Sequence, residues 1–524
     1  MSDSYKISRR KFLQTGTCGA MGIGSLINTV AQLQLINAAA ASNIGGSDVI
    51  GGDYKALVCL FLRGGCDTNN VLIPTVGNPQ AAAYTTDRNV VSIRNGVVDA
   101  TLNPAGIDDT HPIAVSSGGP FGLHPSLTNI ASMYGNSEVA FVSNVGTLAH
   151  PTTNANYKSI GLPRQLFSHS DQVTEWMSSI ADKPYTSGWG ARVADLYHEM
   201  WNPDSQTSML ITAAGNNQFM NGGDVPQYSV TSAGAISLAS FGTNYSSALN
   251  SDGSYKTNST GNRLKSLERI MNYSHAHLLE DGYTTVVRRA RENEAVVTEA
   301  SAVATGLGLD FDTTWDNYGA TDGVANELKA VAKLIAGRKC LGNKRQIFFV
   351  DVGGYDNHQD INGSLGGLLT SLDNAVGAFN QAMKDLAAAE LAAEVGGTLT
   401  DPFTYDQVTT FQASDFNRTW TPNSSDPGTA GTDHAWGGHS FVIGGAVQGG
   451  ELYGSFPELA VGGLSDVPSG TRGRWIPTTA VDQYAAVLAK WFGVPPGSTE
   501  MSTIFPNLSR FDDPFTGGAN LGFL

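Results

Sequence analysis

The stretch Ala56–Pro74, ALVCLFLRGGCDTNNVLIP, constrains the fold of this chain more than any other. Its apolar run, Ala56–Leu62, is continuous rather than alternating, and it stops at Arg63-Gly64-Gly65-Cys66-Asp67. Successive side chains of a strand point to opposite faces. An unbroken apolar run therefore suits a strand covered on both sides, as in a parallel α/β sheet. The two glycines let the backbone turn sharply and leave Asp67 at the carboxyl end of that strand. Open α/β sheets bind their ligands at that edge.

Later stretches repeat the pattern. Gln346–Val352 reads as a strand ending in Gly353-Gly354-Tyr355-Asp356-Asn357-His358, and Gln407–Ala413 as one ending in Ser414-Asp415-Phe416-Asn417-Arg418. A Pro/Ser/Gly loop then carries Thr432-Asp433-His434 ahead of a last short strand, Phe441–Gly444. Val139–Val145 and Met209–Ala213 complete the expected strands. Helical patterns fall at Pro125–Tyr134, in Leu264–Val303, and over Ala325–Ala336, Leu365–Val395 and Thr479–Phe492. Ser168-His169-Ser170-Asp171 precedes a further helical pattern and carries an N-cap signal. Residues 78–119 look loop-rich, with Gly, Asn, Asp and Pro scattered throughout. The expected architecture is one α/β domain over 55–524, a mainly parallel sheet with helices on both faces, with a mixed loop and helical insertion at about 216–340.

The net charge of −16 and pI near 5.0 argue against nucleic acid or an anionic membrane surface as partner. The amino terminus opposes that balance. Ser8-Arg9-Arg10-Lys11-Phe12-Leu13 follows the twin-arginine pattern, an uncharged, glycine-containing stretch follows, and Ala38–Ala41 offers a small-residue cleavage site. Residues 1–41 are thus expected to be a twin-arginine signal peptide, with 42–54 a linker. Its expected partner is the twin-arginine translocase, and its destination the periplasm or the extracellular space. No later stretch is long and apolar enough for stable membrane insertion. Cys59, Cys66 and Cys340 lack metal-ligand spacing and read as packing residues.

Taken singly, Asp67 reads as a turn aspartate, Asp356 and His358 as a polar loop, His434 as a surface histidine, and Ser168 or Ser170 as a helix cap. Taken together, Asp67, Asp356, His358, Asp415 and His434 bring carboxylates and imidazoles to one sheet edge. That is a ligand set for zinc or another transition metal, with calcium or magnesium as further candidates. Gathered carboxylates repel, and a cation is their natural neutralising partner. No phosphate-binding glycine loop, G-x-S-x-G elbow or H-E-x-x-H zinc helix is found.

The ordered segments FLRGGCD (61–67), LHPSL (123–127), FSHSD (167–171), GW-x-x-R (188–192), GGYDNH (353–358), SDFNRT (414–419) and GTDHAWGG (431–438) resemble a bacterial family, the domain of unknown function 1501. That family is grouped with the alkaline phosphatase and sulfatase superfamily. The resemblance implies an alkaline phosphatase-like fold, with Asp67 as an early metal ligand and Ser168 as nucleophile. Asp356 and His358 would hold a second metal, Asp415 the first, and His434 the second. Phe416 stands where those phosphatases have histidine, which leaves the first metal under-coordinated unless Asp433 or His439 replaces it; one well-formed site around Asp356, His358 and His434 is therefore expected, with a weaker second around Asp67 and Asp415. Two functions are open at this point. One is an exported hydrolase of small phosphate or sulfate esters, with Arg164 or Arg418 clamping the ester oxygens. The alternative is a non-catalytic exported binding or scaffold protein on the same fold.

Overall fold

A computed structural model describes residues 54–524 apart from 76, 94–110, 114–118, 185–186, 233, 236–244, 273–292 and 295. The expected signal peptide and nearly all of the linker lie outside the described residues. The main sheet contains β1 (Lys55–Leu62), β2 (Val139–Gly146), β3 (Leu210–Thr212), β4 (Tyr228–Thr231), β5 (Gly234–Ala235), β6 (Arg345–Val352), β7 (Val408–Ser414), β8 (Gly438–Gly444), β9 (Leu452–Tyr453) and β10 (Thr479–Ala480). Its spatial order is β9-β2-β8-β7-β1-β6-β3-β4-β5, with β10 pairing β2.

β1 lies between β6 and β7 and is parallel to both, with Leu62 level with Val352 on one side and Ser414 on the other. The carboxyl ends of three neighbouring strands therefore open side by side. β8 is antiparallel to both β7 and β2, so β2 belongs to the sheet without touching the other three. That strand is longer than the Phe441–Gly444 expected from its apolar residues.

The burial of β1 explains its sequence. Ala56, Val58, Leu60 and Leu62 enter one core, whereas Leu57, Cys59 and Phe61 enter the other. The first core is roofed by α2 (Thr128–Gly135), α5 (Gly323–Ala336) and α6 (Ile361–Val395). The second is roofed by α3 (His169–Ser178), α4 (Trp189–Trp201) and α7 (Val481–Phe492). Every residue of β1 after Lys55 is buried.

Two expectations need correction. The loop-rich stretch 78–119 contains a helix, α1 (Ala81–Arg88), whose Tyr84 and Arg88 are buried. Part of the stretch expected as an insertion, 216–340, belongs to the α/β body: β4 extends the sheet beside β3, and α5 packs on β6 and α6. Cys59 and Cys66 are buried as packing residues, but Cys340 is only half-buried. Among the described residues no helix is long and apolar enough to cross a membrane.

Candidate metal centre

Glycine geometry brings the strand ends together. Gly64 and Gly65 have φ of +112° and +79°, and a Cβ on Gly64 would stand 2.6 Å from the backbone nitrogen of Asp356. One on Gly65 would lie 2.4 Å from the Phe416 ring. Only a bare backbone lets the β1 turn lie against both neighbouring loops.

Arg418 fastens the three ends. Its guanidinium is fully buried and donates to the carbonyls of Gly65 (2.9 Å), Gly64 (3.0 Å), Thr432 (3.0 Å) and Tyr355 (3.2 Å). It also forms a very short ion pair with Asp356 Oδ1. Asp356 follows, since burial pushes its carboxyl up but Arg418, His169 and His358 together hold it below the usual range.

Around Asp356 stand three histidines. His358 Nε2 lies 3.2 Å and His434 Nε2 3.5 Å from its Oδ1, and His169 Nε2 lies 3.5 Å from its Oδ2. Each ring faces a separate acceptor through Nδ1: Asp415 Oδ2 for His169 (2.7 Å), Asp433 Oδ1 for His358 (3.1 Å), and the Phe167 carbonyl for His434 (2.8 Å). Those bonds place a proton on each Nδ1 and leave the three Nε2 lone pairs turned toward the carboxylate, the outer-shell pattern of metal-bound imidazoles. His358 Nε2 and His434 Nε2 are 2.8 Å apart. Two lone pairs at that separation repel unless a proton or cation lies between them. His169 Nε2 is buried and has no hydrogen-bond partner.

His434 is held below its usual pKa by burial, with the charge of Arg418 adding to the effect, which favours the unprotonated ring. His169 is raised by its bond to Asp415. Its ring packs against Phe416 (4.8 Å between centroids) and His434 (4.4 Å). Phe167, whose carbonyl orients His434, has φ of 76° and lies under the Arg474 guanidinium at 4.5 Å. Such a backbone strain persists only where the surroundings enforce it.

Ligand atoms of His169, Asp356 and His434 all lie within 4.8 Å of one another, a group able to hold a metal ion. His358 stands beside that group, against Asp356 and His434, without belonging to it. Tetrahedral zinc with bonds of about 2.05 Å keeps its ligand atoms roughly 3.3 Å apart, close to the 3.5 Å that separates the Nε2 atoms of His169 and His434 from the Asp356 oxygens.

Of the expected ligands, Asp356, His358 and His434 converge. Asp415 is one bond further out, fully buried, accepting from Gly64 N (3.0 Å) and His169 Nδ1. Asp67 is not among the converging atoms, because its Oδ2 is paired at 2.6 Å with buried Arg88. Neither proposed substitute for the histidine absent at 416 joins as a ligand. Asp433 orients His358, and His439 is buried against Ser143 and Phe456. His169 supplies the third imidazole instead. It stands between the two serines of FSHSD, and the absence of an imidazole at 416 was the signal that another was needed.

Ser168 is the N-cap of α3, and its hydroxyl donates to Asp171 Oδ2 at 2.7 Å. Ser170 is more exposed and shares that carboxylate at 3.2 Å. Arg418 is wholly engaged by the loops, and Arg164 is exposed on the segment before α3.

Residues 54–467 match the family model described as protein of unknown function (DUF1501). The chain belongs to that family. The matched span runs from the first residue before β1 past the last expected ligand, so the whole centre lies within the family domain. No curated protein and no solved structure matches the chain.

Proposed function

We propose that this member of the domain of unknown function 1501 family is an exported, metal-dependent hydrolase of small phosphate or sulfate esters. It would work on an alkaline phosphatase-like scaffold with one divalent ion held by His169, Asp356, His358 and His434. One observation carries the assignment: the Nε2 atoms of His358 and His434 face each other at 2.8 Å while both Nδ1 atoms are already engaged. Three imidazoles and one carboxylate suit zinc or a similar transition metal better than calcium or magnesium. Asp67 and Asp415 stand outside this centre: Asp67 Oδ2 pairs with Arg88 and Asp415 Oδ2 with His169, while Asp67 Oδ1 is buried without a hydrogen-bond partner.

A divalent ion in that cage supplies Lewis acidity at the ester oxygens. Ser168 stands one residue before His169 at the head of α3, where backbone N–H groups favour a developing negative charge. Asp171 accepts its hydroxyl proton as the oxygen attacks phosphorus or sulfur. The bond to the leaving oxygen breaks as the seryl ester forms, and water then releases the acid and restores the serine. Arg418 keeps Asp356 ionised and fixed. The twin-arginine segment supports export through the translocase to the periplasm or beyond.

Elemental analysis of protein purified from its native compartment should find about one tightly held ion per chain. His434→Ala should lose it, whereas Ser168→Ala should keep the ion and lose turnover of aryl phosphate and aryl sulfate. Native protein devoid of metal would sink the hydrolase, and a non-catalytic binding role would replace it.

A further inference from the structure

The arginines near the candidate centre differ in how their nitrogens are used. Arg88 pairs with Asp67 and bonds the carbonyl of Trp420 at 3.2 Å. Arg418 is engaged by the loop carbonyls and Asp356. Arg472 pairs with Asp433 at 2.9 Å and reaches the carbonyls of Thr421 and Pro422. Arg63, at the end of β1, pairs with Asp351 at 2.7 Å. Arg474 is different.

Arg474 is held in place, yet none of its contacts uses the outer nitrogens. Its backbone N–H donates to Asp466 Oδ1 at 2.8 Å. Buried Asp466 also accepts from the backbone of Gly462 (2.9 Å) and Gly473 (3.0 Å), so its carboxylate orders the loop rather than neutralising a side chain. Nε of Arg474 donates to the His434 carbonyl at 2.9 Å, and the guanidinium carbon lies 4.5 Å from the centre of the Phe167 ring. Among the described residues neither Nη1 nor Nη2 of Arg474 bonds a protein atom.

Its position gives those nitrogens a use. Phe167 immediately precedes Ser168, and its carbonyl lies 2.8 Å from His434 Nδ1. Arg474 therefore braces both sides of the seam that joins the proposed nucleophile to a proposed ligand of the ion. A guanidinium bonded through Nε still offers the fork of Nη1 and Nη2, which matches two oxygens of one phosphate or sulfate group. Its charge is permanent, and the contacts at Nε and Phe167 order it before any ligand arrives, which lowers the cost of binding. Arg164 also lacks a side-chain partner among the described residues, but it is exposed and no contact fixes its guanidinium.

We propose, resting on the metal-dependent ester reading above, that Arg474 is the oxyanion clamp of this site. Its Nη1 and Nη2 hold two non-bridging oxygens of the tetrahedral group and fix its orientation for attack by Ser168. The clamp expected of Arg164 or Arg418 thus falls to a residue beyond the last ligand in the chain.

The test uses the full mature protein loaded with zinc and freed of excess metal, and the probe is inorganic phosphate, titrated calorimetrically. Arg474→Met should weaken phosphate binding at least about tenfold while elemental analysis finds its zinc content equal to the parent's. Arg474→Lys keeps a charge and an aliphatic stem over Phe167 but not the fork, and should lose at least about threefold. It also serves if the methionine variant does not fold. Arg63→Met removes a positive charge from the same sheet edge and should change phosphate affinity by less than about twofold. Parent-like phosphate binding by Arg474→Met or by Arg474→Lys overturns the inference and leaves the metal centre standing. So does an equal loss in Arg63→Met, which would make the effect one of general charge, or a loss of zinc in Arg474→Met, which would make Arg474 a support for His434. A larger loss in Arg164→Met than in Arg474→Met overturns it as well. A parent protein that takes up no ion brings down the metal centre itself, so the two failures are distinguishable.

Discussion

At the residue scale, each imidazole is tied through Nδ1 to a different part of the chain: His169 to the end of β7, His358 to the 433 loop, and His434 to the strained Phe167 peptide. Orientation is set by those partners rather than by the rings themselves, and loss of such a partner typically costs 10–100-fold in metal affinity. We expect Asp415→Asn to weaken zinc binding by about that range in a competition titration. Asp433→Asn should cost less, because Asp433 is 30% exposed and Arg472 can swing toward solvent. Equal losses in the two variants would contradict this ordering. Arg418 differs in kind, since its guanidinium is the shared donor for three loops. Arg418→Met leaves four carbonyls and Asp356 without it, and should lower unfolding stability by about 3–5 kcal/mol in chemical denaturation.

At the scale of elements, the turn after β1 decides how closely the ligand loops approach. Gly65→Ala would drive a methyl group into Phe416, whose ring leans on His169 and His434 at 4.8 and 4.6 Å. It should cost about 1–3 kcal/mol and also weaken the ion, whereas a purely local strain would leave zinc affinity intact. This turn was legible in the sequence. A continuous apolar run followed by Gly-Gly-Cys-Asp specifies a doubly covered strand and a tight exit, and β6 and β7 repeat the pattern. The pairing of Asp67 was not legible, because α1 reads AAAYTTDR and buries little besides Tyr84 and Arg88. A short helix whose inward residues include an arginine carries no apolar periodicity to betray it. His169 stayed hidden for another reason: a residue at the first helical position is judged as part of a cap, and nothing local says that its ring turns inward. The expected targeting segment lies outside the described residues and has its own check. Arg9→Lys combined with Arg10→Lys should leave full-length precursor in the cytoplasm, and normal processing of that variant would remove the twin-arginine assignment.

For the whole molecule, the second core carries two buried acids that couple folding to pH. Glu175 of α3 accepts from Gln172 at 2.6 Å, but its other oxygen is buried without a partner, and burial pushes its carboxyl up to about 8. Asp482, near the start of α7, is pushed up by burial to about 7. Between the ordinary carboxylate range and those values the folded chain holds protons that the unfolded chain has released. The native state then binds more protons than the unfolded state, so stability must fall as pH rises. The contribution is fully present below about pH 4 and is lost on passing through pH 7 to 8, the reverse of a salt-bridged carboxylate. His124, lowered by burial to about 4, acts in the opposite sense at the acid end, adding stability as pH rises toward 6.5. Glu175→Gln keeps the shape and removes the titration. Between pH 6 and 8.5 the parent should lose roughly 1–3 kcal/mol of unfolding free energy more than the variant does. Urea denaturation at several pH values measures this directly. It should be done on chelated protein, because bound zinc would add a pH dependence of its own by releasing protons from its ligands. Parallel stability curves for parent and variant would mean that Glu175 is charged in the folded state, and that a cation or water meets its second oxygen.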